Sequence, residues 1–196
     1  WFNYFNIVDD YKTNKHTNMM EYTIERMEQN FQSKYDTIDK FYQQLNNIRD
    51  LLKSKKSDDF EKGQLVLGKL LGYISAKYND CQYPGCPDPI WTVNEELTIV
   101  FEDKIYENAS SNIPLNDVKQ AAGHENWVRE FLDKPKISKN AEIITVFISN
   151  RDKIDKPAKI HGDKVFYLHI DEYLEWTEKC LKVLKSIRMQ FDIAGD

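Results

Sequence analysis

The sequence predicts an α/β fold: a mixed β-sheet flanked by helices, preceded by a long N-terminal amphipathic helix. Three observations predict it. Strand-like apolar runs recur at "DPIWTV" (88–93), "LTIVFEDKIY" (97–106), "AEIITVFIS" (141–149) and "KVFYLHI" (164–170). Before, between and after them, apolar residues fall at three-and-four spacing, the mark of helices with one buried side. Of 196 residues, 41% are hydrophobic and 30% charged, the balance of a chain that folds around a core rather than staying disordered.

The elements follow in order. Ile24, Met27, Phe31, Ile38, Phe41, Leu45, Ile48 and Leu52 form one apolar stripe, predicting a single helix from about Glu21 to Leu52 that packs on the domain behind it. "SKKSDDF" (54–60) breaks the pattern, and Ser57 or Asp58 is placed to cap the next helix. That helix is expected from Asp59 to Lys77, with Gly63, Gly68 and Gly72 permitting close packing against a sheet. "NDCQYPGCP" (79–87) is loop chemistry. The runs at 88–93 and 97–106 are joined by "NEE", which predicts a hairpin. A helix is expected from about Leu115 to Leu132, then the strand at 141–149, a polar loop, the strand at 164–170, and a final helix capped by Asp171 with Tyr173, Leu174, Leu181, Leu184 and Ile187 inward. Trp91, Trp127, Phe147, Phe166 and Trp176 fall within these elements, so packing rather than base stacking accounts for them. The division is residues 1–57 as a helical segment or linker and 58–196 as the main domain. The first residue, Trp1 rather than Met, suggests a piece of a longer protein.

Bulk properties exclude several classes. No apolar run approaches the roughly 18 residues of a membrane-spanning helix, and no secretory signal is visible, so a cytoplasmic protein is expected. Cys81, Cys86 and Cys180 are too few and too irregularly spaced for a disulfide framework or a common zinc site, and are read as free thiols. A net charge of −5 argues against a dedicated nucleic-acid binder, whose affinity rests on cations facing phosphates. It does not exclude an enzyme acting on nucleic acid. The basic stretches at 53–56, 134–139 and 153–164 read as solvated loops.

One constellation carries chemistry. Residues two apart in a strand share a face, so Glu102 and Lys104 point together while Phe101 and Asp103 point the other way. A hairpin turning near Asn94 brings Asp88 alongside them. Two carboxylates there offer hard oxygen ligands suited to Mg²⁺, for which Mn²⁺ can substitute. Such a metal lowers the pKa of its bound water and offsets charge on a phosphoryl group. Lys104 can orient the water, help to deprotonate it, or neutralise developing charge. An acid-x-Lys triplet alone is common, since Asp10-Tyr11-Lys12 and Asp117-Val118-Lys119 also fit. The strand ending and the Pro-Asp that opens the preceding strand give this one its weight.

Those residues resemble the PD-(D/E)xK nuclease superfamily, with Pro87-Asp88 as its first motif and Glu102-Asp103-Lys104 as its second. "FEKGQLVLGKLLGY" (60–73) is similar to the helix that opens Mrr-like restriction nucleases, and "NIPLNDVKQAAGHENWV" (112–128) to the loop and helix after the second motif in the FokI-type cleavage domain. The resemblance covers roughly residues 58 to 190. It implies a restriction-endonuclease-like fold, a metal site of Asp88 and Glu102 joined by Glu61, and a catalytic set of Asp88, Glu102, Lys104 and Gln120, the last facing the substrate. His124, four residues beyond Gln120 on the same helical face, is placed to approach a phosphate, but a local hydrogen bond is the favoured reading. The function implied is a Mg²⁺-dependent DNA endonuclease, the cleavage domain of a restriction or phage-defence enzyme. Its partners would be DNA and either a second copy of the chain or a fused DNA-recognition domain. The alternative is a noncatalytic module of the same fold, used for assembly or nucleic-acid binding, which the acidic charge and the aromatic-studded N-terminal helix favour.

Overall fold

The structure is a computed structural model that describes residues 15–77, 85–131 and 137–191. The N-terminal apolar stripe forms two helices rather than the single one expected, α1 (Lys15–Ser33) and α2 (Ile38–Leu52). The break has a local cause. Thr37 is extended, at φ −111° and ψ 151°, and its hydroxyl oxygen accepts the Lys40 N–H at 3.3 Å, an N-cap that starts a new helix. Asp36 accepts the Thr37 N–H at 3.0 Å and pairs with Lys40 at 2.8 Å. The apolar spacing runs on across the break because both helices face one core. Phe31, Phe41, Leu45, Ile48 and Leu52 are buried with Phe60, Leu67, Trp91, Phe101 and Ile148, so residues on both sides of position 57 share it.

Helix α3 (Ser57–Leu70) takes in both expected caps, Ser57 and Asp58, and its N-cap is Lys56, with no side-chain cap bond. The acids Asp58 and Asp59 instead sit in the first turn, where the helix dipole favours them. The helix stops well short of Lys77. Gly72 takes φ +79°, its N–H donates to Lys69 O and the Tyr73 N–H to Gly68 O, the paired bonds of a Schellman ending. Three residues that had read as helix then form a strand, β1 (Ile74–Ala76). Gly68 does permit close packing: a Cβ there would lie 2.5 Å from Trp91 Nε1.

The expected hairpin is β2 (Ile90–Thr92) and β3 (Leu97–Lys104), antiparallel with Ile90 opposite Val100. Asn94 closes its turn, with Oδ1 accepting the Glu96 and Leu97 N–H groups. Next come α4 (Leu115–Phe131), β4 (Glu142–Ser149), a short α5 (Lys159–Gly162), β5 (Phe166–His169) and α6 (Ile170–Phe191). The sheet has five strands in the order β1-β2-β3-β4-β5; β1 and β2 pair antiparallel to their neighbours, whereas β3, β4 and β5 run parallel. The α/β class is therefore borne out as a mixed sheet flanked by helices. Alternation sends Phe101 and Ile148 toward α2, α3 and α6, while Val100 and Phe147 face α4.

Two further expectations are corrected. Asp171 is not the cap of the last helix, which starts at Ile170; His169 Nδ1 accepts the Asp171 N–H at 3.2 Å and does that work. Trp176, assigned to the core, is 39% exposed, its ring lying against Trp91 and Tyr173 at the edge of that core. Cys180 is a free thiol, and Cys81, like most of the loop at 79–87, lies outside the described residues. No helix among the described residues is long and apolar enough to cross a membrane.

Candidate active site

Beyond its last ladder pair, Ile90–Val100, the hairpin ends in a β-bulge. The Asp88 N–H donates to Phe101 O at 3.2 Å and the Phe101 N–H to Pro89 O at 3.1 Å, so Asp88 and Pro89 both stand against Phe101, and Asp88 lies at the end of β3 beside Glu102 and Asp103. Pro89 has no N–H to give, so the Asp88 N–H bonds the Phe101 oxygen in its place. Its side chain is fixed as well, Oδ2 accepting the Asp103 N–H at 2.8 Å.

Glu102 and Lys104 share a face, as their spacing requires, with Lys104 Nζ 2.6 Å from Glu102 Oε1. On the other side, His124 Nε2 lies 2.5 Å from Glu102 Oε2, and both side chains are wholly buried. A carboxylate removed from water is tolerated only when charges or donors surround it, and here α4 supplies one and β3 the other. Oε1 is buried, and the Lys104 ammonium is the one group that meets it among the described residues.

Charge runs through the cluster. Burial raises the Asp88 carboxyl above the ordinary carboxylate range, the Glu102 charge adds to this, and the Asp103 N–H, Lys104 and Lys77 oppose it. For Lys104, burial works to lower the ammonium, but the charges of Glu102, Asp88 and Asp117 outweigh it and the group is raised. Asp117 in turn accepts the Tyr106 hydroxyl at 2.5 Å, and Arg151 stacks on that ring at 3.5 Å. Asp103 faces away, as its parity demands. Its Oδ1 accepts from Gln64 Nε2 at 3.2 Å, and burial, followed by the Asp88 charge, pushes its carboxyl well above the ordinary range.

Asp88, Glu102 and Lys104 are thus brought together. Glu61, buried at the start of α3, is ion-paired with Lys77, whose charge reaches Asp88. Gln120 stands one turn before His124 on α4, half-buried, and makes no hydrogen bond among the described residues. Lys77 was missed, and the partner of His124 was not foreseen. Lys77 follows β1, a strand hidden inside an expected helix. His124 does form a hydrogen bond, but across the fold to Glu102, and only the Gln120 spacing hinted at its face.

Among the described residues, no group of three or more His, Cys, Asp or Glu side chains is arranged to hold a metal ion. The donor set nonetheless fits a hard divalent cation that retains waters. Two carboxylates come together at the end of β3, the Glu102 charge adds to the upward shift of Asp88, and the buried Glu102 Oε1 is met by the Lys104 ammonium alone among the described residues. No family model, curated protein or solved structure matches the chain.

Proposed function

We propose that the chain is a Mg²⁺-dependent endonuclease domain of restriction-endonuclease-like fold that hydrolyses DNA phosphodiester bonds, serving as the cleavage part of a restriction or phage-defence enzyme. The observation that carries the reading is the gathering of Asp88, anchored on the Asp103 N–H, with Glu102 and Lys104, the last against Glu102 Oε1, at the end of β3. Asp88 and Glu102 would hold Mg²⁺, or Mn²⁺ in its place, with Glu61 joining through water once released from Lys77. The ion, when bound, supplies Lewis acidity and a water of lowered pKa. Lys104, kept protonated by the acids around it, would leave Glu102 for the phosphate and offset the negative charge that builds on its oxygens. Gln120 would face the substrate from α4. One such site cuts one strand, so double-strand cleavage would need a second copy, and the acidic net charge of −5 assigns DNA capture to a fused recognition domain or a partner.

A second reading, a noncatalytic module of the same fold, is favoured by one observation. Both Glu102 oxygens already face groups of the chain itself and the side chain has no exposed surface. Cleavage of supercoiled plasmid with Mg²⁺, Mn²⁺ or EDTA, by the wild type beside Asp88→Ala and Lys104→Ala, decides between them. Metal-dependent nicking lost in both variants supports the nuclease. Intact plasmid throughout supports the module, and cleavage surviving both variants rejects the site.

A further inference from the structure

We infer that His124 is a positioning residue for Glu102: it holds Oε2 from inside the protein so that Oε1 alone is presented to a divalent cation. The inference rests on the reading of Asp88 and Glu102 as metal ligands. Helix α4 lies against β3 and β4 and places the wholly buried His124 ring with Nε2 2.5 Å from Oε2. Lys104, less buried than Glu102, lies 2.6 Å from the other oxygen. A carboxylate in contact with an ammonium is an acceptor, so Nε2 carries the shared proton and donates it. Glu102 is the ring's one hydrogen-bond partner among the described residues, because Nδ1 makes no hydrogen bond. His124 is therefore held by no other polar contact, and its polar function is directed at a single carboxylate oxygen.

The physical consequence concerns rotation. The terminal torsion of a glutamate is broad and nearly two-fold, so an untethered Glu102 would swing between one- and two-oxygen coordination. A donor fixed on Oε2 removes that freedom and leaves Oε1 turned toward Lys104. Partners of this kind, which touch a metal ligand and not the metal, typically hold 10–100-fold of metal affinity.

The test is calorimetric titration of the folded chain with Mg²⁺ alone, in the wild type, Asp88→Asn, His124→Gln and His124→Met. Glutamine keeps an N–H near the Nε2 position; methionine fills similar space without one. The expected result is Mg²⁺ binding by the wild type, its loss in Asp88→Asn, near-wild-type affinity in His124→Gln, and affinity about 10–100-fold weaker in His124→Met. Wild-type affinity in His124→Met, with Asp88→Asn still dead, would overturn the role of His124 and leave the metal reading standing. No binding by the wild type would overturn both. Should His124→Met fail to fold, the ring ¹⁵N resonances of the four histidines in the wild type give a second readout. Mg²⁺ should shift the signal that His124→Gln removes, and an unmoved signal under saturating Mg²⁺ would overturn the inference.

Discussion

Asp88 Oδ2 accepts the backbone N–H of Asp103 at 2.8 Å, so the first proposed metal ligand is anchored to the strand that carries the second. The bond needs an acceptor oxygen at Asp88 and not its charge, which burial and Glu102 make costly. Asp88→Asn should therefore fold at least as stably as the wild type at neutral pH while losing metal-dependent cleavage. Asp88→Ala, which leaves the Asp103 N–H unmet, should lose about 1 kcal/mol. Urea unfolding midpoints of the three proteins check this.

Asp103 gives a pH dependence with a definite sign. Its carboxyl is raised well above its ordinary range in the folded chain, by burial first and the Asp88 charge second. The folded state thus binds a proton more tightly than the unfolded state, and stability falls as pH rises from the unfolded value toward the folded one. Asp103→Asn keeps an acceptor for Gln64 without a charge to desolvate. Thermal melts from pH 4 to pH 8 should show the variant gaining on the wild type as pH rises, by about 1–3 kcal/mol at the upper end, and matching it near pH 4.

Lys77 should act on the acid side of the activity profile. Its charge opposes the upward shift of Asp88 and it pairs with Glu61. In Lys77→Met the Asp88 carboxyl rises further, so the acid limb of plasmid cleavage against pH should move to higher pH. A profile that stays in place would show that Lys77 does not reach the reacting carboxylates.

The two glycines of the α3 ending differ in kind. Alanine at 68 would gain about 1 kcal/mol of helix propensity but place a carbon 2.5 Å from the buried Trp91 ring, and overpacking of this sort costs about 1–3 kcal/mol. Alanine at 72 meets Thr23 O at 2.2 Å and a φ of +79° as well. Chemical denaturation should find both destabilised, with Gly72→Ala the worse.

Much of this was legible along the chain. The hairpin and the shared face of Glu102 and Lys104 follow from strand parity and an Asn turn, and both are local. The buried strand β4 showed as a continuous apolar run. The break between α1 and α2 was hidden because its apolar stripe continues on both sides; the Asp36-Thr37 cap was the one local signal. Strand β1 was hidden because Ile74-Ser75-Ala76 is too short for a period of its own and takes its conformation from pairing with β2. The contact between His124 and Glu102 spans 22 residues and two elements, so it depends on where α4 lies against β3, which no spacing records.

The central claim is that Asp88 and Glu102 together form a divalent-metal site. Electron paramagnetic resonance of free Mn²⁺, titrated against the wild type and Asp88→Ala, tests it most directly. The account predicts saturable depletion of the free Mn²⁺ signal by the wild type, abolished in Asp88→Ala. Undiminished free Mn²⁺ with the wild type, or equal depletion by the variant, would contradict it.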